Sequence, residues 1–229
     1  MLEVAAPYFA FWSLGAAFTL GLSVAVFPAA VLLGLASALA FHSGRAAAGA
    51  ASIYFAIFRG LPEILVILAA FHGVNILLRT VGTGAGVALP TIDPFLAAWL
   101  ALAVQFGAYA GVIMSDWLRI QPAGLSEAGA AVGMTRSQIR RRIVIPLVLR
   151  GATASLGNLF LVLLKVSALA SLIGVEELSR RTAIVSGAIR DPLLAYSIAA
   201  VLYLMISALA EIGQNLLERR SHRRGGAGA

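Results

Sequence analysis

Positions 4 to 44 contain no Asp, Glu, Lys or Arg. A bilayer core ~30 Å thick is crossed by about 20 apolar residues in helical form, so this run supplies a full span with residues to spare. The reading is a short surface helix near Pro7–Trp12, then span 1 at Leu14–Phe41. Pro28 lies mid-span where a kink is expected, and Phe11 and Trp12 are placed at the interface as aromatic anchors. The rest of the chain agrees. Of its 229 residues 60% are hydrophobic and 12% charged, against about 25% charged in a soluble domain. The fold class is therefore all-α, a polytopic membrane protein, with no room for a separate soluble domain.

The remaining spans follow from the same reasoning. A short link, His42–Gly49, carries Arg45. Span 2 is read at Ala51–Leu78. Its uncharged part, Ile64–Leu78, is too short to cross alone, so Arg59 and Glu63 are drawn into the membrane, one helical turn apart, where they can pair. Glu63 follows Pro62, where a break in the helix would free backbone groups to bind. Gly-rich Val81–Pro90 is a loop, and Asp93-Pro94 starts span 3, which ends near Ser115. Span 4 is read at Ile143–Ile173, with Arg150 near one end and Lys165 deep inside, followed by the small residues Ser167 and Ala168. Glu176–Asp191 is a second polar loop, and span 5 is Leu193–Leu209. Residues 1–218 form one transmembrane domain. Residues 219–229, with Arg219, Arg220, Arg223 and Arg224 and a Gly/Ala stub, read as a basic disordered tail. Met1-Leu2-Glu3 has no positive n-region, so the first span is expected to be retained. Most basic residues fall on the side of Arg45, the Arg119–Arg142 loop and the tail, which the positive-inside rule makes cytoplasmic. The N-terminus is then outside and the C-terminus inside.

The net charge of +7 raises nucleic acid as a partner. The basic residues gather at span ends rather than on a polar face, and nucleic acid is rejected. There is no cysteine, hence no disulfide framework or thiolate site. No P-loop, metal-ligand or triad pattern occurs, so the chain is not read as an enzyme and cannot hydrolyse ATP itself.

The polar stretch Glu127–Pro146, EAGAAVGMTRSQIRRRIVIP, interrupts this oily chain. Glu127-Ala128 opens a small-residue segment that closes at Gly133. Thr135 and Gln138 have capping-box spacing and start a second helix. Ile139 and Ile143 give it an apolar edge amid Arg136, Arg140, Arg141 and Arg142, and Pro146 marks the join to the next apolar run. The bland alternative is an ordinary basic loop.

These residues resemble the EAA loop of permease subunits of bacterial ABC importers, E-A-A-x-x-x-G, nine residues, then I-x-L-P, within a loop at 117–146. The departures are Gly129 for the second Ala and Ile145 for Leu. Further resemblances lie in Phe58-Arg59-Gly60-Leu61-Pro62-Glu63, in Ala108-Tyr109 with Pro122 and Gly124, and in the segment Leu164–Val175. They cover Ile57–Arg181. Together they are most similar to the histidine/lysine/arginine/ornithine and opine branch of polar amino-acid permeases, Q-type subunit. One departure stands out: Val112 and Ser115 occupy positions where the family carries an acid and an Arg.

The resemblance implies a type I ABC importer permease fold in the bacterial inner membrane, with a cytoplasmic coupling helix. It implies an ATP-driven importer of polar amino acids, basic ones among them, or opines. Glu127, Ala128, Gly133, Ile143 and Pro146 would couple to a pair of ATPase subunits, which would bind the ATP and Mg; no cofactor is expected in this chain. A second permease subunit, homologous or identical, and a periplasmic solute-binding protein complete the expected partners. Arg59, Glu63, Tyr109, Lys165 and Ser167 are candidates for the substrate path, because ionisable groups at membrane depth are costly unless they face water, a partner or a ligand. Against this stand structural readings: an Arg59–Glu63 pair, a packing role for Tyr109 between Gly107 and Gly111, and snorkelling for Lys165. His72 reads as a satisfied buried histidine. Glu176, Glu177, Arg180 and Arg181 read as a solvated loop, or else as a contact for the binding protein. The rival function is a self-contained secondary transporter or channel for a small polar solute, for which internal repeats would argue; none is evident.

Overall fold

The computed structural model describes residues 6–225. Five helices in it are long and apolar enough to cross a membrane. In chain order the elements are α1 (Phe9–Phe41, entered through a 3-10 turn at Ala6–Tyr8), α2 (Arg45–Gly60), α3 (Glu63–Ala85) and α4 (Pro94–Arg119). Then come α5 (Ala123–Ala131), α6 (136–151), α7 (Thr153–Ile173), α8 (Leu178–Ile189) and α9 (Pro192–Gly225). The crossing helices are α1, α3, α4, α7 and α9.

Helix α4 is the central post, and α1 lies against it along much of its length. The buried residues of α1 are Trp12, Gly15, Thr19, Leu22, Ser23, Val26, Ala30, Gly34 and Ala38, a single stripe at spacings of one and three to four. Its outer face carries Leu14, Phe18, Val24 and Leu32. Both faces are apolar, so polarity does not sort them; size does. Small residues let helix backbones approach in lipid. A Cβ on Gly34 would fall 2.6 Å from the Ala110 Cβ and 2.8 Å from the Gly111 N. The helix passes Pro28 without a break.

Several boundaries differ from the sequence reading. The surface helix at Pro7–Trp12 is not separate; it is the start of α1. Trp12 is fully buried rather than interfacial, and its indole N–H donates to Thr182 Oγ1 at 3.2 Å. Span 2 is broken at Leu61-Pro62. Pro62 lacks an N–H and holds Leu61 extended (φ −88°, ψ 137°), which ends α2 and starts α3 at Glu63. The freed Leu61 carbonyl accepts a bond from Gln105 Nε2 of α4 at 3.0 Å. The span regains its length at its other end, running past Arg79 to Ala85 and stopping where Gly86 turns left-handed (φ 68°). Half of the expected Val81–Pro90 loop is thus helix. Asp93-Pro94 does start span 3: Asp93 Oδ1 accepts from Leu96 N–H at 3.1 Å. Span 4 begins at Thr153, not Ile143, after a turn at Ala152. Gly151 there has no room for a side chain, because the Trp117 ring packs on it. The polar segment 176–191 contains α8. Helix α9 continues through Gly225, so residues 219–225 are helical and not a disordered tail; residues 226–229, like Met1-Leu2-Glu3, lie outside the described residues.

Candidate functional site: the coupling loop and the polar residues at membrane depth

The loop between α4 and α7 is a helix–turn–helix closed by local chemistry. Helix α5 starts at Ala123 after Pro122, so Glu127 sits mid-helix and does not open it. The helix stops in a Schellman motif: Met134 N–H donates to Gly129 O and Gly133 N–H to Ala130 O, both at 3.0 Å, with Gly133 at φ 82°. Thr135 and Gln138 form the expected capping box: Gln138 N–H donates to Thr135 Oγ1 at 3.3 Å, and Thr135 N–H to Gln138 Oε1 at 2.8 Å. Gly129 explains its own departure from the motif. A Cβ there would lie 3.1 Å from Ile139 Cγ1 and 3.2 Å from Ile143 Cδ1, so the missing methyl lets α5 seat on the apolar edge of α6. Pro146 does not end a helix. It lies inside α6, directly after a π-helical turn at Arg140–Val144, as expected where a residue without an N–H must be passed.

Glu127, Ala128 and Gly133 are exposed, Ile143 and Pro146 half-buried. A cleft of about 720 Å³ separates the loop from the ends of the bundle, lined by His42, Leu118, Glu127, Arg136, Ile139 and Arg140 among others. Glu127 makes no ion pair among the described residues. Ser115, where the resemblance would place an Arg, is buried, and its Oγ lies 3.0 Å from His42 Nε2. Val112 packs against the Ala51, Phe55 and Ala108 cluster. Both substituted positions serve packing here.

The path candidates are dispersed. Glu63, half-buried in the first turn of α3, accepts a bond from the Tyr109 hydroxyl at 3.3 Å. Arg59 is exposed and not within ion-pair distance of Glu63, since the break at Leu61-Pro62 takes the two off a common helix face. Lys165 is exposed in the last regular turn of α7. Ser167 is fully buried; its hydroxyl donates to Leu164 O at 2.8 Å and accepts from Ser23 Oγ at 3.4 Å. It therefore presents nothing to a path. His72 is exposed rather than buried.

Sequence reasoning missed a polar cluster at the other end. Glu177 and Arg181 are buried, not solvated. Glu177 Oε2 accepts from Tyr203 OH at 2.8 Å and Thr19 Oγ1 at 3.2 Å, and Oε1 caps α8 by accepting from Arg180 N–H at 2.9 Å. Burial raises the Glu177 carboxyl above its ordinary 4.5, against the hydrogen bonds that lower it. The Arg181 guanidinium lies 4.4 Å over the Phe11 ring and pairs with Glu176 at 3.2 Å. The available signal was small: an acid one residue before an apolar helix start, the N-cap position.

Five crossing helices around one post, with a helix–turn–helix held out at one end, form the fold of an ABC transporter permease component. The chain belongs to the family of binding-protein-dependent transport system inner membrane components, whose description matches residues 30–223. It is a multi-pass inner-membrane protein. It is 35% identical to the arginine ABC transporter permease protein ArtQ of Escherichia coli strain K12, covering 89% of this chain and 93% of that one. It is 33% identical to the histidine/lysine/arginine/ornithine transport system permease protein HisQ of the same strain (90% and 91% covered). It is 34% identical to the octopine transport system permease protein OccQ of Rhizobium meliloti (89% and 88%). Its fold matches a crystal structure of an amino acid ABC transporter with histidines at TM-score 0.78 and 29% identity, covering 94% of this chain and 96% of that one. An inward-facing methionine ABC transporter shares the fold at TM-score 0.74 and 20% identity, over 94% and 98%.

Proposed function

We propose that the chain is the membrane subunit of an ATP-driven importer for polar amino acids with basic side chains, or for opines. The names of its relatives support the substrate class: arginine; histidine, lysine, arginine and ornithine; octopine. The observation that carries the coupling role is the loop's construction. Its turn is closed by a Schellman motif and a capping box, which hold it rigid, while Glu127, Ala128 and Gly133 stay exposed. A rigid, exposed element is suited to carry motion from one body to another. ATP and Mg are assigned to a pair of separate ATPase subunits docked there, and no cofactor to this chain. A second permease, identical or homologous, and a periplasmic binding protein complete the assembly. The loop and the C-terminus are placed in the cytoplasm and the N-terminus outside, with residues 1–218 as the single transmembrane domain. Ile143 and Pro146 support the loop from within α6. Glu63, held by Tyr109, and Lys165, with Arg59 at the break between α2 and α3, are assigned to the substrate path.

The test is uptake of labelled arginine, histidine, lysine and octopine by proteoliposomes holding this chain with its ATPase and binding protein. ATP-dependent uptake of at least one is expected, with loss on deleting 127–133. Uptake driven by an ion gradient without ATP would overturn the reading. Lys165→Met and Glu63→Gln should each impair uptake while leaving the ATPase bound; wild-type kinetics in both would reduce these residues to anchors.

A further inference from the structure

Segment 176–191 carries three acids and three bases, and the fold sorts them. Every acid is engaged within the chain. Glu176 pairs with Arg181 at 3.2 Å, and Glu177 is buried against Tyr203 and Thr19. Asp191 Oδ1 caps α9 by accepting from Leu194 N–H at 3.0 Å. Arg181 is engaged as well. Arg180 and Arg190 remain exposed, with no ion pair among the described residues. The charge that α8 shows outward is therefore all positive.

Local stability does not account for these two cations. Arg180 lies in the first turn of α8, where the helix dipole disfavours positive charge. Arg190 ends α8 at φ 53°, and it is the one non-glycine residue with positive φ among the described residues. Gly or Asn fills such a position with less strain. On the proposed orientation both also stand at the end where cations are sparse. Between them, Ala183, Ile184, Gly187 and Ala188 are exposed, at spacings that share one helix face with Arg180. Only Ile184 is large. The outer faces of α1 and α9 differ, for they show bulky apolar side chains such as Phe18, Leu32, Leu193 and Leu204. The α8 face is also held firmly from behind, where Trp12 and Thr19 of α1 bond to Thr182 and Glu177. His42, which borders the coupling-loop cleft, follows Trp12 by thirty residues, about 45 Å along α1.

We propose that this face of α8 is a seat for the solute-binding protein, which brings carboxylates to Arg180 and Arg190, about 15 Å apart along the helix. The proposal rests on the import reading above, in which a binding protein delivers solute at the end away from the ATPase. Charge complementarity selects an acidic protein surface. The small residues between the two arginines admit a close, flat approach, whereas a face turned to lipid in this chain carries bulky apolar groups.

The test uses the assembled importer in nanodiscs, with its solute-loaded binding protein titrated in and ATPase stimulation measured. Arg180→Glu combined with Arg190→Glu is expected to raise the half-saturating concentration about tenfold and to flatten its salt dependence, with the maximal rate recovered in excess binding protein. Arg180→Lys combined with Arg190→Lys should stay near wild type. Arg190→Gly removes one cation and relieves the strained φ, so weaker docking with an undiminished melting temperature separates docking from folding. This chain has no cysteine, so Ala188→Cys places a single photoreactive label in it, and that label should capture the binding protein. Wild-type half-saturation in the charge-reversed pair or in Arg190→Gly would overturn this surface and leave the import reading standing. So would capture of lipid or of the second permease in place of the binding protein. A wild-type importer indifferent to the binding protein would overturn both.

Discussion

The two ends of this molecule solve the same problem in opposite ways. Each has a polar segment that must leave the membrane, turn and return. At the coupling-loop end the turn is closed by bonds between residues three to five apart: Gly129 to Met134, Thr135 to Gln138. At the other end α8 is held by bonds between residues about 160 apart or more, Thr19 to Glu177 and Trp12 to Thr182. The first construction leaves its outer face exposed, as the proposed docking of an ATPase subunit requires. The second buries a carboxylate and a guanidinium and fixes the start of α1 and part of α9 to α8. On the proposed function the first end is the one gripped by a partner, and the second is held still within the chain itself.

The largest expected break in that contrast is Glu177→Ala. It removes a helix cap and leaves Tyr203 and Thr19 without their buried acceptor, costing about 2–4 kcal/mol. Thermal unfolding in detergent should show a clear loss of stability, while the ATPase still binds. Glu177 also gives a pH signature. Its folded pKa is raised, so its contribution to stability is fully present below the unfolded value near 4.5 and is lost as pH rises through the folded value. Mild acidification should therefore stabilise the wild type, and Glu177→Gln should flatten that dependence in a melting series across pH.

At the loop end effects should be smaller for stability and larger for coupling. Gly133→Val forces a β-branched residue to φ near +82°, a strain of about 1–2 kcal/mol. Transport should fall and ATPase activity should uncouple from it, with insertion unchanged; normal uptake would contradict the coupling role. Glu127→Lys reverses an exposed charge that has no ion pair among the described residues, and should weaken ATPase pull-down by about 1 kcal/mol, more at low salt. Its mid-helix position removes any dipole contribution from that expectation. Thr135→Ala is the mildest, about 1 kcal/mol of local cap energy. It should be visible as faster amide exchange over 136–139 and little else.

The same contrast explains what the sequence made legible. The capping box, the turn at Gly133 and the Asp93-Pro94 start are short-range and could be read directly. Span count followed from hydropathy. Pro62 signals the break before Glu63 by its missing N–H; the Arg59–Glu63 pair does not form because that break takes the two off one helix face, and the span's extension past Arg79 was not considered. Glu177, Arg181 and Trp12 were misplaced because their partners are distant in the chain, and no local pattern announces them. Ser167 looked like room for a ligand, yet small polar residues also mark the closest helix contacts, and here that use prevailed.

Gly129 has a consequence for how such loops can be exchanged. Its missing methyl and the bulk of Ile139 and Ile143 are one fitted set. A homologue with Ala at the corresponding position should carry a slimmer residue at one of the two isoleucine positions. Chimaeras between relatives should then work when 129–143 is transplanted whole and fail when the first half alone is moved. The unit of inheritance in this segment is the seam between its two helices, with neither helix a module by itself.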